Sequence, residues 1–190
     1  MTPPSDLHRL PPGLPVPEDD GAARHLPGMR VPSVPLPATD GTVVDLAALH
    51  GRTVVYAYPR TGEPDRAPPD GWDAIPGARG CTPQSCAFRD HHADLAAAGA
   101  RVFGLSTQTT DYQREAGDRL HLPFPLLSDA DLVLVRAMAL PTFATSGMTL
   151  TRRLTLVVRD GVVEHVFYPV FPPDRNAADV LAWLRHHPGG

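Results

Sequence analysis

Two β-prone runs separated by a helical stretch restrict the fold of this chain more than any other feature. Residues 53–58 (Thr-Val-Val-Tyr-Ala-Tyr) and 101–106 (Arg-Val-Phe-Gly-Leu-Ser) carry few polar side chains. Such near-continuous apolar runs are the pattern of strands buried on both faces. Between them a helix is expected from about Cys81 to Ala98, ended by the stop signal Gly99. Strand, helix and strand in that order make one βαβ unit. The first strand reaches the helix only through a loop of about twenty residues, dense in Gly and Pro; loops of that length inside a compact domain are mostly functional or disordered.

The remaining signals extend this unit. Asp40-Gly41 is a turn, and residues 46–50 read as one helical turn. Thr110 opens a second helix, with Gln113 placed for a capping box and Leu120 near its end. Residues 124–127 are short and extended, and 129–139 helical. Asp160-Gly161 is the strongest hairpin signal, between strands at 154–158 and 162–168. A last helix over 176–186 carries Val180, Leu181 and Leu184 at helical spacing. The order predicts an α/β fold of the thioredoxin type, a mixed central sheet with helices on both faces.

Residues 1–28 stand apart. Pro3, Pro4, Pro11, Pro12, Pro15, Pro17 and Pro27 remove amide donors, so this stretch joins neither ladder nor helix. The expectation is a mobile or loosely draped arm, with docking on a neighbouring surface as the other outcome; the domain is expected over 29–190. A net charge of −4 argues against nucleic acid or an anionic membrane as partner. All 17 basic residues are Arg, and a chain without Lys has neither Schiff-base chemistry nor a P-loop. No apolar run approaches the ~18–20 residues of a membrane span, and no secretory signal is visible. A cytoplasmic location is expected, where a cysteine pair is more often catalytic or metal-binding than structural.

Cys81 and Cys86 are the only cysteines. They sit where the long loop passes into the first helix, just beyond the carboxyl end of a strand, where chemistry collects in open sheets. A cysteine in a first helical turn faces unpaired backbone N–H groups and the positive end of the helix dipole. Those conditions favour a thiolate nucleophile. An ordinary thiol (pKa ~8.5) is only about 3% ionised at pH 7, and lowering it to ~6 takes about 3.4 kcal/mol. A helix terminus supplies roughly 0.3–2 kcal/mol of this, so a nearby cation is required.

The spacing sets a second condition. Residues five apart on an ideal helix have Cα atoms ~8.6 Å apart, whereas a disulfide tolerates about 4.4–6.8 Å. If both cysteines are helical, the first turn must unwind before they bond, and Pro83 eases this by offering no N–H. If Thr82 is instead the N-cap with Pro83 at N1, the two thiols are already close. The residues alone leave both arrangements open. The plainer reading of such a pair is two small buried apolar side chains. His91-His92 and His186-His187 read as solvated faces, because adjacent helical residues point apart. Trp72, in the long loop, reads as packing over the site or as a lid.

Tyr58-Pro59 after a strand, followed by residues 80–90 (Gly-Cys-Thr-Pro-Gln-Ser-Cys-Ala-Phe-Arg-Asp), resembles the peroxiredoxins, and most of all the peroxiredoxin Q or bacterioferritin comigratory protein branch. Residues 122–129 (Leu-Pro-Phe-Pro-Leu-Leu-Ser-Asp), Arg153 opening its strand, and the hairpin through Val166 and Phe167 match as well, so the resemblance runs over about 31–185. It implies Cys81 as peroxidatic thiolate, Cys86 as resolving thiol and Arg153 as the activating guanidinium. It also implies a peroxide substrate (hydrogen peroxide or an organic hydroperoxide), thioredoxin or a similar dithiol as reductant, no cofactor or metal, and a monomer or homodimer. On a strand, Arg152 and Arg153 point to opposite faces, so one of them is solvated. The family carries a Thr three residues before its peroxidatic Cys; here that residue is Ala78, and Thr61 or Thr82 are the candidates to return a hydroxyl. Two rivals follow from these features: a general thiol–disulfide oxidoreductase, without a Cys-x-x-Cys motif, and a redox-sensing or binding module on the same scaffold, favoured by Ala78.

Overall fold

The computed structural model describes residues 7–189. Its elements run β1 (Pro35–Pro37), β2 (Val43–Asp45), β3 (Arg52–Ala57), α1 (Cys81–Asp90), α2 (His92–Ala97), β4 (Ala100–Ser106), α3 (Thr110–Arg119), β5 (Leu126–Ser128), α4 (Val133–Ala137), β6 (Thr142–Thr145), β7 (Met148–Thr151), β8 (Leu154–Arg159), β9 (Val162–Phe167) and α5 (Asn176–His186). The main sheet has the order β5-β4-β3-β8-β9. Its β5, β4 and β3 are parallel, β8 runs against them, and β9, antiparallel to β8, runs with them again. This is the expected mixed sheet.

Every residue of β3 is buried, as its unbroken apolar run requires. Alternate residues feed two cores. Val55 and Ala57 join Phe103, Leu105, Leu156 and α4 on one face. Val54, Tyr56 and Tyr58 join Phe88 of α1, Leu95 of α2, and Val180, Leu181 and Leu184 of α5 on the other. Helices therefore cover both faces. Gly104 of β4 is required by this packing, since a Cβ there would stand 2.5 Å from Leu126 and 2.8 Å from the Tyr56 hydroxyl.

The helix expected over 129–139 is only the five residues of α4, and four further features differ from, or were not read in, the sequence. The helix expected from Cys81 to Ala98 is two, with His91 between them in the bridge region (φ −96°, ψ 5°). Backbone bonds from His91 to Ala87 and from Leu95 to His91 continue across the joint. The N-cap of α3 is Thr109, whose Oγ1 accepts from the Tyr112 N–H, and Gln113 makes no capping box. Its buried amide donates instead to Ser106 Oγ (2.9 Å) and the Leu127 carbonyl (2.8 Å), tying the ends of β4 and β5. A ribbon outside the main sheet, β6–β7, turns at Ser146 and Gly147, both at positive φ as a two-residue type I′ hairpin demands.

The fourth is the proline-rich arm. Its described residues are laid along the domain: Leu26 is fully buried and Ala23 nearly so, both within the larger core. The Tyr168 hydroxyl donates to Asp20 at 2.8 Å, and Gly28 donates to the Val163 carbonyl at 2.8 Å. Two leucines account for the rest of the path: Leu7 lies against Gly62, and Leu10 against Gly80. With amide donors missing at its prolines, the arm is held by side chains and a few backbone N–H bonds rather than by a ladder. Residues 1–6 lie outside the described residues.

Candidate active site

Strand pairing brings the site together. β8 lies antiparallel to β3 with Leu154 opposite Ala57, so Arg153, one residue before β8, reaches the carboxyl end of β3. The loop after β3 returns there to start α1. Gly80 is the N-cap of that helix at φ 107°, a conformation open to glycine and little else. A Cβ on it would also stand 2.7 Å from both Leu10 and Pro173. α1 is anchored by Phe88 stacked on Tyr56 (centroids 4.4 Å apart, planes 8° apart) and by the Tyr56 hydroxyl, which donates to Ser85 Oγ at 3.0 Å.

Cys81 is the first residue of α1 and is 4% exposed. Arg153 is 3% exposed and directs Nη2 at the sulfur, 3.3 Å away. The same nitrogen donates to the Ala78 and Arg79 carbonyls at 3.2 Å, and Nε donates to the Gly77 carbonyl at 3.3 Å. Nη1 donates to Gln84 Oε1 in a short bond. Gln84 in turn donates to Asn176 Oδ1 at 2.9 Å, which also accepts from the Thr155 hydroxyl at 2.7 Å. Among the described residues no carboxylate pairs with Arg153. Its donors are spent on neutral oxygens, so its charge acts on the sulfur without a local counter-ion. In the thiol form, Cys81 donates to the Ala78 carbonyl at 3.7 Å. Arg152, by contrast, is half-buried away from the sulfur; the two arginines lie in the bend between β7 and β8 and not on the strand expected for them.

Cys86 stands on the same helix, half-buried, and both cysteines are free. The arrangement is thus the helical one of the two left open: Gly80, not Thr82, is the N-cap, and Pro83 sits inside the first turn. Ideal geometry then separates the two Cα atoms by ~8.6 Å, too far for a disulfide without unwinding. Burial pushes the Cys86 thiol pKa up, with Arg89 partly opposing it. His8 of the arm lies beside this sulfur, Nδ1 to Sγ 4.0 Å.

A cavity of about 310 Å³ opens onto Cys81 between the long loop, α3 and the β6–β7 ribbon. Trp72 forms part of its wall and is itself packed with Ala78, Leu150 and Phe143, its ring 6.2 Å from the phenylalanine's. Ala78 is wholly buried in that apolar cluster, so no hydroxyl stands there. Of the two threonines considered as replacements, Thr82 lines the cavity beside Cys81. Thr61 turns away, its hydroxyl 3.3 Å from Gln108 Oε1. Gln84 and Asn176 were not foreseen. Gln84 carried the signal of a polar residue one turn after Cys81, whereas nothing in the sequence places Asn176, 92 residues further on, against it.

A family model described as Redoxin matches residues 26–181. A chloroplastic peroxiredoxin Q of Oryza sativa subsp. japonica is 32% identical over 160 residues, which span 83% of this chain but 66% of the rice protein. A chloroplastic peroxiredoxin Q of Sedum lineare is 30% identical over 176 residues, 92% of this chain and 86% of the relative. The crystal structure of a peroxidoxin from Mycobacterium tuberculosis superposes with a TM-score of 0.68 at 28% identity, covering 85% of this chain and 98% of the other.

Proposed function

Since this chain belongs to the redoxin family, in its peroxiredoxin Q branch, we propose that it is a thiol-dependent peroxidase whose chemistry is carried by Cys81, Cys86 and Arg153. The observation that supports this best is the buried guanidinium held 3.3 Å from the Cys81 sulfur at the floor of an open cavity. The substrate is hydrogen peroxide or an organic hydroperoxide. Cys81 thiolate attacks the distal oxygen; the S–O bond forms as the O–O bond breaks. Sulfur is oxidised to sulfenic acid, and the leaving alkoxide or hydroxide takes a proton and departs as alcohol or water. Arg153 stabilises negative charge on the sulfur and then on the oxygen it captures.

Cys86 thiolate next attacks the Cys81 sulfenic sulfur. The S–S bond forms, the S–O bond breaks, and the hydroxyl leaves as water once protonated. Thioredoxin or a similar dithiol then reduces the disulfide, its own two thiols becoming a disulfide. The bond closes within one chain, so a monomer or a homodimer serves equally. No helix among the described residues is long and apolar enough to cross a membrane, and we place the cycle in a thiol-reducing compartment such as the cytoplasm.

Ala78 favours one other reading. Without a hydroxyl donor there, the scaffold is a peroxide sensor that oxidises once and signals. Stopped-flow peroxide consumption with thioredoxin present separates the two. Steady turnover by the wild type, none by Cys81→Ser, and one unrecycled turnover by Cys86→Ser support the peroxidase. Oxidation without turnover under any dithiol supports the sensor, and equal loss in both variants removes the assigned roles.

A further inference from the structure

The cavity over Cys81 is far larger than hydrogen peroxide needs: about 310 Å³ is about ten times the ~30 Å³ share of a water molecule. That volume lies at the lower end of cavities that take small organic ligands. Its walls are amphipathic. Leu7, Trp72 and Met148 supply apolar surface, while Arg60, Arg66 and Arg79 supply cations. Two of those cations are already matched: Arg66 pairs with Glu63 at 3.0 Å, and Arg79 with Asp73 at 3.2 Å. Arg60 is not. Its nitrogens reach only the Tyr112 hydroxyl (3.0 Å) and the Met148 sulfur (3.9 Å), and its guanidinium lies over the Tyr112 ring, 5.6 Å from the centroid. Among the described residues it has no carboxylate. Arg60, Tyr112 and Met148 also line a second, adjoining cavity of about 490 Å³, so the cation stands where the two spaces meet.

We propose that Arg60 is a specificity-determining residue that selects organic hydroperoxides bearing a carboxylate, the –OOH group lying at Cys81 and the carboxylate on the Arg60 guanidinium. A planar guanidinium held by an aromatic face and one neutral hydroxyl keeps free donors for a bidentate carboxylate. A neutral hydroperoxide of the same size fills the apolar wall but leaves this cation unmatched. The long loop of residues 60–75 supplies half of the cavity's lining, Trp72 included. Its length therefore serves substrate choice.

The inference rests on the peroxidase reading, and two measurements keep their failures apart. Steady-state turnover is compared for 6-hydroperoxyhexanoic acid and its methyl ester. For the wild type the acid's kcat/KM is expected to exceed the ester's by about tenfold or more, the size of one charge-assisted hydrogen bond. In Arg60→Gln that ratio is expected to fall towards one. Equal values for acid and ester in the wild type, or an unchanged ratio in the variant, overturn the proposal. Calorimetric binding of octanoate and of 1-octanol needs no turnover, so it reads the site even if peroxide is never consumed. Octanoate is expected to bind the wild type more tightly than octanol and to lose about tenfold in Arg60→Gln. Binding of octanoate no tighter than octanol, or undiminished in the variant, overturns it.

Discussion

At the scale of single residues, the site sets two thiols in opposite surroundings. Cys81 has a guanidinium against it, with Gln84 and Asn176 behind that guanidinium to fix its plane. Cys86 has burial, which favours the neutral thiol, with only partial relief from Arg89. Because the thiolate is the attacking form, a raised pKa would hold back the second step of the proposed cycle at neutral pH. In rapid-mixing experiments on the sulfenate form, the rate of disulfide closure should climb about tenfold per pH unit through pH 8 without levelling below the ordinary thiol range of ~8.5. A plateau near neutrality would contradict the assignment. The same shift has a stability consequence. The folded state holds this proton more tightly than the unfolded chain. Its contribution to stability is therefore full below the ordinary thiol range and is lost as pH rises towards the raised folded value.

At the scale of elements, the question is what α1 gives up when the two sulfurs join. Its first turn holds Cys81 and Gln84, and it docks through Ser85 and Phe88 on Tyr56. Closing a gap of ~8.6 Å to under ~6.8 Å requires that turn to open, which exposes Cys86 and returns its thiol to ordinary acidity. Oxidation should therefore lower far-UV helical ellipticity and strip amide-exchange protection from residues 81–90, while Cys86→Ser treated with one equivalent of peroxide keeps both. Protection unchanged in the disulfide form would mean that the helix need not move.

Much of this element was legible. A β-prone run, a Gly-Pro loop and a cysteine at the start of a helix are local signals, and β3 and α1 formed where those signals stand. Arg153 was named from the family resemblance alone; the pairing of β8 with β3 that carries it to the site was not read. What was missed depends on contacts that no local pattern encodes. Gln113 has the spacing of a capping box, yet a buried Ser106 hydroxyl and a strand-end carbonyl outcompeted the helix terminus. Asn176 owes its role to the folding of α5 against α1. In the ribbon β6–β7, the Thr-Phe-Ala-Thr of β6 lacks the apolar alternation that marks a strand, and the Met-Thr-Leu-Thr of β7 alternates over only four residues.

At the scale of the whole molecule, the arm and the domain are one body over the described residues. Composition suggested loose chain, because prolines exclude ladder and helix alike, but they do not prevent Leu26 from filling the core. Removing residues 1–17 takes away Leu7, His8 and Leu10 above the site and leaves Ala23 and Leu26 in place. Its stability in urea should stay within about 1 kcal/mol of the full chain. Removing residues 1–28 also empties the Leu26 site, and should cost about 2–5 kcal/mol, the range for a large aliphatic side chain deleted from a core. Equal stability of the two truncations would place the arm outside the folded unit.

The contact of His8 with Cys86 bears on how the reduced protein keeps its second thiol. On the proposed roles the reserve sulfur is the more exposed of the two, half-buried with His8 beside it, and what restrains it is the neutral form that burial favours. A thiol held neutral is a poor nucleophile towards disulfides and stray electrophiles. In the proposed cycle only a peroxide already spent on the first sulfur would bring the second into play, so the partner thiol would become reactive at the moment when there is a bond for it to make.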